Sequence, residues 1–121
     1  MTTSVLQRQA HTSDFRRALE ERDAQSQMAL YTDNAGMCIV TVGGPNRPTQ
    51  NLLGKSAIEA WVTQFCSDNV SVEVLNLFEE EAEAMVIAEC RHRDGTLVVY
   101  TCSAQLMGGR ITNQHVVLLW T

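Results

Sequence analysis

Residues 84–120 read AMVIAECRHRDGTLVVYTCSAQLMGGRITNQHVVLLW, and this stretch decides the fold. It contains three runs rich in β-branched and other apolar residues, separated by Asp94-Gly95 and by Gly108-Gly109. Dipeptides of this kind are typical of tight two-residue hairpin turns. The stretch therefore predicts three consecutive antiparallel strands, over residues 84–93, 97–107 and 110–120.

The residues before this stretch add helices and further strands. Asp23 is expected to cap a helix, because its carboxylate can accept a hydrogen bond from a free N–H of the first turn. Hydrophobic periodicity predicts, in chain order, helices over 14–21 and 24–31, a strand over 37–42, a helix over 56–66 and a strand over 70–78. Helices that are segregated from an antiparallel meander favour the α+β class.

Length and composition limit the classes of protein that the chain can represent. It has 121 residues, 45% of them hydrophobic, and nine basic against fourteen acidic residues, which gives a net charge of -5. We expect a flexible segment over residues 1–12 and a single domain over 13–121. The acidic balance argues against a nucleic-acid partner, and no apolar run is long enough to span a membrane. The start has no apolar secretory segment.

The spacing of the four cysteines indicates the cellular compartment of the protein. Cys38, Cys66, Cys90 and Cys102 form no C-x-x-C pair, so neither a zinc ribbon nor a thioredoxin-like motif is present. We expect four reduced thiols and a cytoplasmic location. No metal site and no cofactor are expected, because the sequence lacks a P-loop, a G-x-G-x-x-G motif and an H-E-x-x-H motif.

The turns also predict the register of the strands. If both loops have two residues, Glu89 lies opposite Tyr100, Cys102 lies opposite His115, and Asn113 shares their face of the sheet. This face is mostly apolar along its middle strand, so we expect it to lie under the helices. A shift of one residue in a hairpin exchanges the two faces.

The polar minority on the helix-facing side provides the candidate catalytic residues. His115 or Glu89 would transfer a proton, and Tyr100 or Asn113 would donate a hydrogen bond to a developing oxyanion. Each of these residues also has a purely structural interpretation. His115 would be an interior histidine, Glu89 would form an ion pair with a nearby arginine, and Tyr100 and Asn113 would belong to the scaffold. Cys102 is more consistent with an inert buried thiol than with a nucleophile.

The opposite face mixes polar residues with large apolar ones, which suits a protein–protein surface. We expect a homodimer through this outer face of the sheet. The residues that the predicted register assigns to it include Thr101, Gln105, Gln114 and Trp120.

Three motifs resemble the nuclear transport factor 2-like superfamily. They are Phe15-x2-Ala-Leu with the later Leu30-Tyr31-Thr-Asp33-Asn34-Ala35, then Leu53-Gly54-Lys-Ser-Ala57-Ile58-x2-Trp61, and Gly108-Gly109-Arg110-Ile111 before the last strand. The SnoaL-like branch, which includes polyketide cyclases and is similar to ketosteroid isomerase, looks most similar. The resemblance implies a cone-shaped sheet around helices, a hydrophobic pocket and frequent dimerisation through the outer face. We expect the pocket lining to include Trp61, Cys102, Phe15 and Val117.

The chain also departs from those relatives. Residues 36–41 contain no carboxylate where ketosteroid isomerases carry their base, and Cys102 and Ser103 stand near the place of their second acid. We therefore expect a small hydrophobic or amphipathic ligand, with acid–base cyclisation, isomerisation or dehydration of a carbonyl or hydroxyl compound if the protein is an enzyme. The alternatives are a non-catalytic binding or dimerisation module, and an accessory subunit whose outer face docks another protein.

Overall fold

A computed structural model describes residues 15–44, 47–67 and 70–121 of the chain. Residues 15–20 form helix α1. The other elements, in chain order, are α2 (Ala24–Met28), β1 (Tyr31–Val42), β2 (Gln50–Leu53), α3 (Lys55–Ser67), β3 (Val70–Glu79), β4 (Glu83–His92), β5 (Leu97–Met107) and β6 (Arg110–Trp120). The predicted α+β class is confirmed. The segment predicted to be flexible, residues 1–12, lies outside the described residues.

The six strands form one sheet in the order β2-β1-β6-β5-β4-β3. β1 pairs with β6 in parallel, and every other neighbouring pair is antiparallel. The register shifts within the β1–β6, β3–β4 and β5–β6 pairs, where one strand carries extra residues. Such irregularities bend a strand and increase its twist, which lets the sheet curve around the helices.

Asp23 caps α2 as predicted. Its Oδ1 accepts a hydrogen bond from the Ser26 N–H at 3.1 Å, and hydrogen bonds to Ser26 are the main reason that the pKa of this carboxyl is lowered. The helix is shorter than predicted, because Tyr31 already belongs to β1. The Ile111 N–H donates to the Leu30 carbonyl at 2.7 Å, so pairing with β6 replaces the last predicted turn of helix.

The predicted register of the first hairpin is wrong. β4 and β5 are joined by the three-residue loop Arg93-Asp94-Gly95, in which Gly95 has a φ of 90°. A three-residue loop with a glycine in the left-handed region is a common hairpin connection. Tyr100 therefore pairs with Ala88 instead of Glu89, and the side chains of β4 exchange faces relative to the prediction.

The second hairpin begins in the predicted register and then leaves it. Met107 pairs with Arg110, as a two-residue turn requires, but a bulge follows and Gln105 pairs with Asn113. Because alternate side chains point to opposite faces, this one-residue shift reverses β6 beyond Ile111. Cys102 consequently lies opposite Val116, not His115.

The core lies between the helices and the inner face of the sheet. On β5 this face is the predicted one, since Val98, Tyr100, Cys102 and Ala104 are all buried. On the neighbouring strands the inner face is the one predicted to be outer, and its buried members are Ala84, Val86, Ala88, Cys90, Gln114 and Val116. In the described ranges, no helix has the length and apolar character needed to cross a membrane.

Candidate functional site

A cavity of about 480 Å³ opens between α3 and the inner face of the sheet, where β4 and β6 end and β3 and β5 begin. We use the term cavity wall for its apolar lining and cavity mouth for its polar lining. The wall consists of Trp61, Phe65, Val70, Cys90, Val98, Leu118 and Trp120. The mouth consists of Arg47, Gln64, His92, Arg93 and Asp94.

Helix α3 supplies the aromatic side of the wall. Trp61 and Phe65 are one helical turn apart, and their rings stack with centroids 5.4 Å apart and an interplanar angle of 13°. On the same helix Ile58 and Val62 are buried, which holds α3 against the core. A flat ligand ring can therefore pack against a rigid aromatic surface.

The end of β4 and the loop that follows it supply three of the five mouth residues. His92 ends β4, and Arg93 and Asp94 follow it in the loop. The Asp94 carboxylate accepts a hydrogen bond from the Thr96 N–H at 2.9 Å. Hydrogen bonds to Thr96, supported by the nearby imidazole of His92, lower the pKa of Asp94. The Asp94 carboxylate is thus ionised at neutral pH and hydrogen-bonded within its own turn.

Trp120 forms the side of the wall nearest to the mouth. Its indole ring stacks on the imidazole of His92, with centroids 5.3 Å apart. The turn after β1 packs against it so closely that a Cβ on Gly44 would lie 2.7 Å from the Trp120 Cβ. The Trp120 Nε1 is buried and has no hydrogen-bond acceptor among the described residues. An unpaired buried donor is costly.

A buried hydrogen-bond network lies behind the wall. Gln114 is 2% exposed, and its Oε1 accepts from the Tyr31 hydroxyl. Its Nε2 donates to the Cys102 Sγ at 2.8 Å and to the Tyr100 hydroxyl at 3.4 Å. The ring of Phe65, which belongs to the wall, lies 5.9 Å from that of Tyr100. The network therefore satisfies its own polar groups on the core side of Phe65.

Burial keeps the ionisable members of the network neutral. Removal from water raises the pKa of Tyr31 and of Tyr100 well above the ordinary tyrosine value. The same cause raises the pKa of Cys102 and of the wall residue Cys90 to about 11. Neither thiol is activated as a nucleophile at neutral pH.

The predicted site residues do not come together. Trp61 lines the cavity, whereas Phe15 lies in the core at 5% exposure. Tyr100 and Cys102 are on the inner face but belong to the buried network. The other four predicted residues lie on the outer face of the sheet, because the two register shifts reverse their strands: Glu89, Asn113, His115 and Val117.

On the outer face the predicted residues have ordinary surroundings. Glu89 forms an ion pair with Arg91 at 3.5 Å, and its side chain is 26% exposed. His115 and Asn113 are exposed, and His115 pairs across the sheet with Cys38 and Ser103. The predicted cluster of these groups beneath the helices is therefore wrong.

The sequence interpretation overlooked the residues that line the mouth. A two-residue turn at Asp94-Gly95 predicts His92 on the outer face, whereas the loop is Arg93-Asp94-Gly95 and His92 lines the cavity. The one available signal is the glycine at the third loop position. Trp120 and Gln114 were assigned to the outer face, since the bulge near Ile111 has no mark in the sequence.

Neither a disulfide nor a metal cluster is found in the part of the chain that the structure describes. The cysteines at positions 38, 66, 90 and 102 are free. No group of three or more His, Cys, Asp or Glu side chains is arranged to hold a metal ion there.

Similarity to known proteins is confined to three-dimensional structure, since no protein-family model and no curated protein sequence matches the chain. An NTF2-like protein of unknown function from Mesorhizobium loti superposes with a TM-score of 0.73 at 13% identity, covering 90% of this chain and 88% of that one. An NTF2-like protein of unknown function from Burkholderia xenovorans gives 0.73 at 12% identity, covering 92% and 81%.

A de novo designed protein with a curved β-sheet gives a TM-score of 0.70 at 11% identity, covering 91% of this chain and 83% of that one. A designed protein among the matches illustrates that likeness at this level concerns architecture and leaves activity open. The sequence motifs and the superpositions agree on one architecture, and the chain has the nuclear transport factor 2-like fold.

Proposed function

We propose that this protein binds a small apolar or amphipathic molecule in the cavity and performs acid–base chemistry on it through His92. The cavity itself is the observation that carries the proposal: about 480 Å³, with an apolar wall and a polar mouth. Cavities of a few hundred cubic ångströms that combine apolar surface with polar groups are typical of small-molecule sites. The resemblance to SnoaL-like proteins supports the same ligand class, a carbonyl or hydroxyl compound.

His92 is suited to the chemistry because it combines a cavity position with a fixed ring. An imidazole can take up and return a proton near neutral pH. Stacking on Trp120 limits the rotation of the His92 ring, and the Asp94 carboxylate lies close enough to interact with it electrostatically. Cyclisation, isomerisation and dehydration all require a proton to be removed and another to be delivered.

A generic proton-abstraction substrate tests this proposal. In 5-nitrobenzisoxazole a base removes the ring C–H proton, the electron pair forms a nitrile, and the N–O bond breaks to release a coloured phenolate. We expect saturable turnover of this substrate by the unmodified chain. His92→Gln should lower the rate at least about tenfold, as expected for the loss of a general base.

His115→Gln is the matched control, because His115 lies exposed on the opposite face of the sheet. It should leave the rate unchanged. An equal loss in both variants, or a rate unaffected by His92→Gln, would contradict the role of His92. Binding of the substrate without turnover would favour the alternative function, a non-catalytic ligand-binding module.

We also propose that the protein forms a homodimer, in which two copies associate through the outer face of the sheet. Four strands present apolar side chains there, and Val42, Met85, Ile87 and Leu119 are each 38% to 47% exposed. A twofold dimer uses the same patch on both copies, so a broad sheet face with a row of mostly apolar side chains across neighbouring strands suits it. That row contains Ile87, Thr101, Val117 and Val40.

Ile87→Lys tests the dimer, because it places a charge in this row, on β4. We expect sedimentation equilibrium at micromolar concentration to give a dimer for the unmodified chain and a monomer for Ile87→Lys. Met107→Lys is the matched control, since Met107 is 73% exposed at the tip of the β5–β6 hairpin, outside the row. A monomer for the unmodified chain would refute the dimer.

A further inference from the structure

The cavity mouth carries a charge of opposite sign to that of the protein. The chain has a net charge of -5, yet two of its nine basic residues, Arg47 and Arg93, line this one cavity. Both side chains are exposed, and neither forms an ion pair with any residue in the described ranges. Guanidinium groups that are not committed to a protein carboxylate are available to a ligand oxyanion.

Among the described residues that line the mouth, Asp94 is the one carboxylate, and it does not cancel this charge. Asp94 accepts its hydrogen bond from the Thr96 N–H within the loop, and the imidazole of His92 also lies near it. Two guanidinium groups against one carboxylate leave the mouth positive even while His92 is neutral. A ligand cation would therefore be repelled there and an anion attracted.

The wall favours a flat apolar body beside that charge. Trp61 and Phe65 present stacked rings, and Trp120 closes the cavity near the mouth. The buried Nε1 of Trp120 has no acceptor among the described residues. A ligand oxygen that reaches this N–H after a small tilt of the indole ring would remove the cost of the unpaired donor.

We propose that the ligand is a planar aromatic or conjugated carboxylate, with its ring against Trp61, Phe65 and Trp120 and its carboxylate at Arg47 and Arg93. This inference rests on the proposed binding function and names the chemical class of its ligand. Aromatic packing supplies affinity for the body of the ligand, and the two arginines select for an oxyanion.

Three probes with the same ring and different charges test the inference: 2-naphthoate, the neutral 2-naphthamide and the cationic 2-naphthylmethylammonium. Isothermal titration calorimetry of the full chain should show 2-naphthoate binding about tenfold more tightly than the amide, since charge-assisted hydrogen bonds are the stronger kind. The ammonium should bind most weakly of the three. Added salt should weaken only the binding of 2-naphthoate towards the affinity of the amide.

Variants of the two arginines test whether these residues cause the preference for a carboxylate. Arg47→Gln combined with Arg93→Gln should bring the affinity for 2-naphthoate down to that for the amide and leave the amide unchanged. Arg91→Gln is the matched control, because Arg91 is exposed on the outer face and paired with Glu89. It should leave all three affinities as they are.

The two indole N–H signals of the chain give an independent readout. Trp61 and Trp120 are its two tryptophans, and both line the cavity. In ¹⁵N-correlated NMR spectra, assigned with Trp61→Phe and Trp120→Phe, 2-naphthoate should move the Trp120 signal downfield. A signal that stays in place while 2-naphthoate binds would overturn the inference, because the ligand would lie elsewhere.

The remaining outcomes separate this inference from the function on which it rests. If the amide or the ammonium binds as tightly as 2-naphthoate, or if the double arginine variant keeps the preference, the carboxylate is refuted and small-molecule binding stands. If none of the three probes binds, both are refuted.

Discussion

Gln114→Leu is expected to lower the free energy of unfolding by about 3 kcal/mol, because it removes partners from buried hydroxyl groups. Gln114 accepts from the Tyr31 hydroxyl and donates to Tyr100 and Cys102, and its side chain is 2% exposed. Leucine has a similar volume, so little empty space is created. For a domain of this length the melting temperature should fall by about 10 °C.

Two further variants separate the lost hydrogen bonds from other effects. Adding Tyr31→Phe to Gln114→Leu should cost much less than the sum of the two single changes, because the hydroxyl and its partner are removed together. Gln105→Leu is the matched surface control, since Gln105 is exposed on β5. Denaturant unfolding measures these variants together with Tyr31→Phe alone and the unmodified chain. A loss below about 1 kcal/mol for Gln114→Leu would show that the network contributes little.

Gly44→Ala is expected to destabilise the protein by about 2 kcal/mol more than the backbone conformation alone explains, because a clash with the Trp120 side chain adds to the strain. Gly44 has a φ of 60°, which disfavours alanine by about 1–2 kcal/mol. Its Cβ would also lie 2.7 Å from the Cβ and 2.8 Å from the Cγ of Trp120. The side chain of Trp120 must then move away from the turn at Gly44.

Gly108→Ala separates the effect of backbone strain from the effect of the contact with Trp120. Gly108 has the same φ of 60°, but a Cβ placed there meets no atom within 4 Å. We expect Gly108→Ala to leave the Trp120 indole N–H signal unchanged and Gly44→Ala to shift it. Urea unfolding gives the two free energies. Equal destabilisation with an unmoved indole signal would mean that Trp120 does not depend on the close approach of Gly44.

Much of the fold follows from local sequence. The strands β5 and β6 have their predicted bounds, and Asp23 caps its helix, because apolar alternation, turn glycines and capping carboxylates act over a few residues. β2 was not predicted, since its four residues become a strand by pairing with β1 at the sheet edge. Tyr31 is predicted as the end of a helix, and its pairing with Ile111 of β6 places it in a strand.

The candidate site was much less predictable, for one physical reason. Side chains alternate with a period of two residues along a strand, so a loop that is longer by one residue exchanges inside and outside. The extra loop residue before Thr96 and the bulge near Ile111 moved Glu89 and His115 outwards. The same two shifts brought His92 and Trp120 into the cavity and Gln114 into the core.

From the sequence alone follow the class of fold, the three strands β4, β5 and β6 of the C-terminal meander, and one cavity residue, Trp61. Those features depend on periodicity and on residues near each other in the chain. Which polar groups lie beneath the helices depends on the tertiary structure, because the length of each loop sets the pairing of the two strands that it joins. Because each register differs from the predicted one by a single residue, His92 and not His115 lies at the cavity. Arg93 and Asp94, which follow His92 in the chain, line the mouth beside it.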